Sequence, residues 1–334
     1  MKLSKLTTLV FVLGAILYSS KVDAQNVPNI LESARESRLL LVQVNSQDPK
    51  FYIKRGESRL ESGDIKGAIE DFNQAIRINP NFALAYSNRG VARRASEDLK
   101  GAIEDFNQAI RLNPNYEEAY SNRGAARRAS GDVKGAIEDF NQAIRLNPNL
   151  AEAYYNRGNA LREVGYAEGA IEDYSQVLRL NPNLAEVYIK RGLTRRASGD
   201  IKGAIEDYSQ AIQINPNFAL AYSNRGVALT LSGDVKGAMK DFNQAIQINP
   251  NFAESYTNRG NARSELGDVK GAMEDYNQAL RLNPNDALAY MNRGLTRREL
   301  EDENGATADL QRASELFQQQ GKIAGYQYVI KLFK

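Results

Sequence analysis

An all-α solenoid of eight tandem helical hairpins, with a capping helix at each end, is predicted by three observations. A tyrosine recurs every 34 residues, at Tyr52, Tyr86, Tyr120, Tyr154, Tyr188, Tyr222, Tyr256 and Tyr290. Each is followed four residues later by a glycine, from Gly56 to Gly294, and sixteen residues later by an alanine, from Ala68 to Ala306. A proline closes seven of the units, from Pro80 to Pro284. A fixed period of this length is the signature of an array whose units are too small to bury their own faces and must stack on their neighbours.

The elements follow in chain order. Residues 1–24 read as a secretory leader: Met1 to Lys5 is short and basic, Leu6 to Tyr18 is almost wholly apolar, and Val22 to Ala24 supplies small residues for cleavage after Ala24. The apolar run falls short of the ~20 residues a spanning helix needs. An uncleaved anchor is the alternative reading, and no cysteine follows the run to carry a lipid. The expected location is therefore periplasmic or secreted, with no integral span after cleavage. The leader carries Lys2, Lys5, Lys21 and Asp23, so the chain's formal charge of +2 belongs to it and the remainder is neutral. That removes the electrostatic basis for binding nucleic acid.

Residues 25–48 hold an N-terminal helical cap or a decayed half-repeat, with Leu31, Ala34 and Leu39 to Val42 as its apolar positions. The eight units then occupy 49–82, 83–116, 117–150, 151–184, 185–218, 219–252, 253–286 and 287–320. In the second of them, Tyr86, Arg89, Gly90 and Arg93 share one helical face, and Ile103, Phe106 and Ile110 form the apolar stripe of a second helix. Ser96 to Asp98 interrupts the two; most copies have Gly-Asp here, as at Gly131-Asp132, a turn followed by an N-cap. Gly90 and Ala102 are small enough for close approach of the helices, and Pro114 stops the second. Residues 321–334 carry Ile323, Tyr326, Ile330 and Phe333, a stripe expected to cover the face of the last unit. Residues 52–56 return as 188–192, and 82–92 as 218–228, so repeats 5 and 6 read as copies of repeats 1 and 2.

The tyrosine, glycine, alanine, second aromatic, second alanine and proline together resemble the tetratricopeptide repeat signature across residues 49–320. The resemblance implies a right-handed superhelix of helical hairpins whose first helices line a concave groove, and a groove that binds a protein or an extended peptide.

An arginine precedes the glycine in every unit, from Arg55 to Arg293, where the family usually has a packed leucine. An aspartate precedes the second-helix aromatic position in every unit, from Asp71 to Asp309. An unpaired buried guanidinium is very costly, so an Arg–Asp ladder is expected, against independent solvation or ligand binding. Two residues after the tyrosine stand Asn88, Asn122, Asn156, Asn224, Asn258 and Asn292, with Lys54 and Lys190 in the other two units. By resemblance this position faces the groove, and each amide offers a donor and an acceptor that match one peptide unit. Eight residues after the tyrosine stand Arg94, Arg128, Arg162, Arg196 and Arg298, which would favour acidic ligands unless nearby glutamates neutralise them. The family's chaperone-tail clamp, a Lys and an Asn four apart on a first helix, is not recognisable.

Without cysteine or histidine there is no disulfide, thiolate nucleophile, imidazole base or imidazole metal ligand. Adjacent carboxylates such as Glu70 and Asp71 point about 100° apart on a helix and do not converge on one atom. The sequence therefore predicts a non-enzymatic interaction scaffold with no cofactor, binding a protein or peptide in its groove. A self-assembling structural protein is the alternative.

Overall fold

The computed structural model describes residues 47–333; the leader, and all of the N-terminal cap before residue 47, lie outside them. Every regular element among the described residues is an α-helix. They run α1 (Pro49–Glu61), α2 (Ile65–Ile78), α3 (Ala83–Ala95), α4 (Leu99–Leu112), α5 (Glu117–Ala129), α6 (Val133–Leu146), α7 (Ala151–Glu163), α8 (Ala167–Leu180) and α9 (Ala185–Ala197). They continue as α10 (Ile201–Ile214), α11 (Ala219–Leu231), α12 (Val235–Ile248), α13 (Ala253–Glu265), α14 (Val269–Leu282), α15 (Ala287–Glu299), α16 (Glu303–Gln319) and α17 (Ile323–Leu332). The chain divides into two compact units, one ending at Ala126 and the other beginning at Arg127.

In the first unit α1 packs on α2, α2 on α3, and α3 on α4. In the second unit the same order runs without a break from α6 to α17. First helices also touch the next first helix: α1 with α3 in the first unit, and α9, α11, α13 and α15 in series in the second. Each hairpin buries small residues against one ring. Ala68, Phe72 and Ala75 of α2 and Ala85 and Ala92 of α3 are fully buried, and the same positions recur down the chain. The glycine of each first helix makes room for that ring: a Cβ on Gly90 would lie 2.7 Å from Cε1 of Phe106.

The ends of the second helices are built from side chains. The Asp64 carboxylate accepts from Gly67 N at 2.9 Å, and six later second helices repeat this N-cap. Repeat 4 departs, with Tyr166 and no side-chain cap on α8. At the other end the Asn79 side chain accepts from Asn81 N, turning the chain around Pro80.

The turn between the two helices requires a left-handed residue. Gly131 supplies it at φ 91°, but Glu97 adopts φ 66° and Glu301 φ 62° in the equivalent place. A side chain there costs roughly 1–2 kcal/mol, partly offset because glycine is freer in the unfolded chain. Glu97→Gly should therefore raise stability by about 0.5–1 kcal/mol in chemical denaturation, whereas Gly131→Ala should lower it by a similar amount.

The C-terminal helix corrects one expectation. Of the stripe Ile323, Tyr326, Ile330 and Phe333, only Tyr326 packs inward; Ile323 is 69% exposed. The buried line is Tyr326, Val329 and Leu332 against Leu316 and Phe317. The reason lies upstream. Gln318 stands where the other units have proline, so α16 extends to 17 residues instead of 14 and α17 begins only at Ile323.

Candidate functional site

The arginine and aspartate ladder forms within each unit, and its rungs tie more than the expected pair. Arg157 Nε donates to Asp173 Oδ2 at 2.8 Å and Nη2 to Oδ1 at 2.6 Å, a parallel two-bond fork. Its Nη1 donates to Asn141 Oδ1 of the preceding repeat at 2.6 Å, so one guanidinium joins α6, α7 and α8. Arg89, Arg259 and Arg293 repeat the arrangement with Asn73, Asn243 and Asn277. Arg191 and Arg225 use the hydroxyls of Ser175 and Ser209 instead. Arg123 donates to Asn107 in the same way. The guanidinium also lies over the tyrosine of its own first helix, 5.6 Å from the Tyr154 ring centre.

A second arginine, unforeseen from the sequence, joins most rungs. Arg93 Nη1 lies 3.0 Å from Asp105 Oδ2 and 3.2 Å from Gly101 O, bracing the start of α4. Arg59, Arg127, Arg195, Arg263 and Arg297 do the same. Leu161 stands in that place in repeat 4. Burial pushes the Asp173 carboxyl above its ordinary value of 3.8, against the opposing pull of Arg157. The charge-assisted bond to Asp173 in turn raises Arg157.

Three second helices carry tyrosine where others carry phenylalanine, and the hydroxyls reach under the first helices. Tyr174 and Tyr276 donate to Asn159 Oδ1 and Asn261 Oδ1, each at 2.9 Å. Tyr208 has Leu193 in place of that asparagine, and its buried hydroxyl makes no hydrogen bond. Burial pushes its pKa up to about 12. Tyr208→Phe should leave stability unchanged or raise it by up to about 1 kcal/mol, while Tyr174→Phe should cost about 1–2 kcal/mol by orphaning Asn159. Thermal and denaturant melts of the two variants check this.

The amide series is uneven. In the first unit, Asn88 donates to Glu57 Oε1 at 2.9 Å, Lys54 is exposed, and Asn122 is half-buried without a hydrogen bond among the described residues. In the second unit Asn156 is likewise half-buried and unengaged. Asn224 is buried and returns its amide to Leu220 O at 3.0 Å, so it is withdrawn from the open wall expected of it. Asn258 keeps a buried Nδ2 without a partner, and Asn292 donates to Asn261 Oδ1 at 2.7 Å. Lys190 is half-buried.

The arginine wall is also partly committed. Arg128 pairs with Glu163 at 3.0 Å, and Arg298 donates to Leu332 O and lies 4.0 Å from Glu303. Arg94 has a buried Nε without a partner; Arg162 is exposed and Arg196 half-buried. Between α13 and α15 a polar hollow of about 340 Å³ is lined by Asn261, Ser264, Asn292 and Thr296, with Glu265 and Glu299 beside them. No group of three or more His, Cys, Asp or Glu among the described residues is placed to hold a metal ion. No helix among them is long and apolar enough to cross a membrane.

Comparison with known proteins agrees with this geometry. No curated protein matches the chain. Among solved structures, the C-terminal part of a TPR repeat-containing protein from Cytophaga hutchinsonii superposes with TM-score 0.61 at 16% identity, over 72% of this chain and 98% of that one. PilF from Pseudomonas aeruginosa gives TM-score 0.55 at 20% identity, over 62% of this chain and 94% of its own. YrrB, described as a TPR protein with an unusual peptide-binding site, gives 0.50 at 22% identity, over 55% and 95%. At these identities the likeness is one of fold. The family model for the TPR repeat matches in seven overlapping segments: 56–93, 90–127, 126–165, 158–195, 193–233, 228–267 and 260–300. With the repeated hairpins and their glycine–aromatic contacts, this shows that the chain belongs to the tetratricopeptide repeat family.

Proposed function

We propose that the chain is a non-enzymatic interaction scaffold that holds an extended segment of a partner protein along its first helices. The observation that carries the reading is the hollow between α13 and α15, where the bonded amides of Asn261 and Asn292, the Ser264 hydroxyl and the carboxylates of Glu265 and Glu299 line an opening shared with Tyr276 and Leu295. Asn258 on α13 itself and the unengaged amide of Asn156 on α7 occupy the position of Asn292 in their own repeats. Groups of this kind hydrogen-bond a peptide backbone with little sequence selectivity, each contributing about 0.5–1.5 kcal/mol net. The peptide-binding site named for YrrB supports the same use of the fold.

A preference for acidic segments rests on Lys54, Lys190, Arg94, Arg162 and Arg196, since Arg128 and Arg298 already have partners. Export rests on the leader pattern of residues 1–24 and is tested by N-terminal sequencing of the protein recovered from the envelope or medium. Self-assembly is the second reading, favoured by the exposure of Ile323 and Tyr328 on α17 and of Phe333 just after it.

Affinity capture with the full chain, repeated with an Asn122→Ala, Asn156→Ala and Asn258→Ala variant of native helical content, tests the scaffold reading. The expected result is one dominant heterologous partner whose recovery falls at least tenfold in the variant. Equal recovery by the variant removes the amides from the mechanism. Concentration-dependent assembly with no partner favours self-association.

A further inference from the structure

Repeats 4 and 5 leave the common pattern at residues that surround one cavity of about 500 Å³, within the second unit. Its floor is Val177 of α8 and Val187 of α9. The position of Val177 is alanine in all the other repeats, from Ala75 to Ala313, and that of Val187 is alanine or serine in six others. Tyr155 of α7 forms one wall; it is the one aromatic at a position that is Ser in three other repeats and Ile53, Ile189, Thr257 or Met291 in the rest. Leu184 and Phe218, from two successive inter-repeat turns, close the sides, and Leu184 is 41% exposed. The volume falls within the roughly 300–1,000 Å³ typical of ligand pockets.

Only two charged residues line the cavity, Glu152 and Glu186, at the same position of successive first helices. Both are exposed, and neither makes an ion pair or hydrogen bond among the described residues. Carboxylates in the first turn complement the partial positive charge of a helix N-terminus, which accounts for their place on α7 and α9. That effect does not call for apolar residues beside them, and the enlarged floor and aromatic wall remain to be explained. Lys190 lies one turn from Glu186 on α9 but does not line the cavity.

We propose that this cavity receives an apolar side chain of a partner segment, with flanking lysine or arginine held by Glu152 and Glu186. The inference rests on the scaffold reading and specifies one ligand class for part of that surface. Apolar burial supplies affinity, and the two carboxylates select cationic over anionic flanks.

The probes are two fluorescein-labelled nonapeptides, each with Leu and Phe between two charged residues, lysine in one and glutamate in the other. Binding to the full chain is read by fluorescence anisotropy. The lysine peptide should bind about tenfold more tightly than the glutamate peptide, and the preference should shrink as salt rises. Glu152→Gln with Glu186→Gln should abolish most of that preference. Tyr155→Ser, the residue of three other repeats, should weaken the lysine peptide severalfold. Glu254→Gln, at the equivalent position of repeat 7, should change nothing.

Equal affinity for the two peptides overturns the inference. So does an effect of Glu254→Gln as large as that of the cavity pair, which marks non-specific attraction. Failure of both peptides to bind also overturns it. In each case the scaffold reading stands if the chain still captures a partner through the asparagines, and falls only if capture fails too.

Discussion

Arg157→Leu alone should destabilise repeat 4 by about 3 kcal/mol, because it strands the buried Asp173 carboxylate and severs α7 from both neighbouring second helices. The figure is at the lower end for a broken buried pair, since the Arg157 side chain is 22% exposed. Adding Asp173→Ala should recover most of the loss, as replacing both partners removes the stranded charge. Denaturant unfolding combined with hydrogen exchange in α7 and α8 is the measurement, since a repeat array need not unfold in one step. Equal destabilisation in the single and double variants would show that the pair contributes through packing.

The pH dependence has a definite sign. The native Asp173 carboxyl is held above 3.8, so the native state binds its proton more tightly than the unfolded chain does. This group's contribution to stability is thus largest below 3.8 and is lost as pH rises through the native value. Without Arg157 the native value rises further. The deficit of Arg157→Leu should therefore be full at neutral pH and shrink on acidification towards about pH 4. Adding a guanidinium by Leu161→Arg, as other repeats have, should lower the Asp173 value in an NMR titration.

Phe106→Ala should cost about 3–5 kcal/mol, the range for deleting a large buried ring. Its value as a test comes from Gly90. In the native chain Gly90→Ala should destabilise by about 1–3 kcal/mol, since the new Cβ would lie 2.7 Å from the Phe106 ring and outweigh the better helix propensity of alanine. In the Phe106→Ala background the same change fills space and should stabilise by about 1 kcal/mol. Additive effects in the four-member cycle would refute a direct Gly90–Phe106 contact as the source of the glycine requirement.

Much of the fold was legible because its determinants are local and repeat. A helix stripe, an Asp-capped turn and a glycine facing an aromatic ring are set within 34 residues, and each is written eight times with few exceptions. The Arg157–Asp173 pair was legible for a related reason, since eight regular charges at packed positions require eight regular partners. Local chemistry was also enough to flag Glu97 as an exception in its turn.

The relations between repeats were decided by the tertiary structure. The donation of Arg157 to Asn141, the burial of Asn224 and the choice of Val329 as the buried residue of α17 depend on how closely successive helices approach, which the period does not encode. Identical asparagines consequently meet different surroundings, so Asn156 is half-buried and unengaged while Asn224 is buried and bonded to Leu220 O. The cavity over Val177 and Val187 belongs to the same class. Its residues come from two helices, two turns and a floor helix, and only their packing brings them to one place. By itself the sequence determined an array of helical hairpins held by paired charges. Which side chains that array leaves open was settled by inter-repeat packing, because burial depends on the size and approach of neighbours and not on a residue's place in the period.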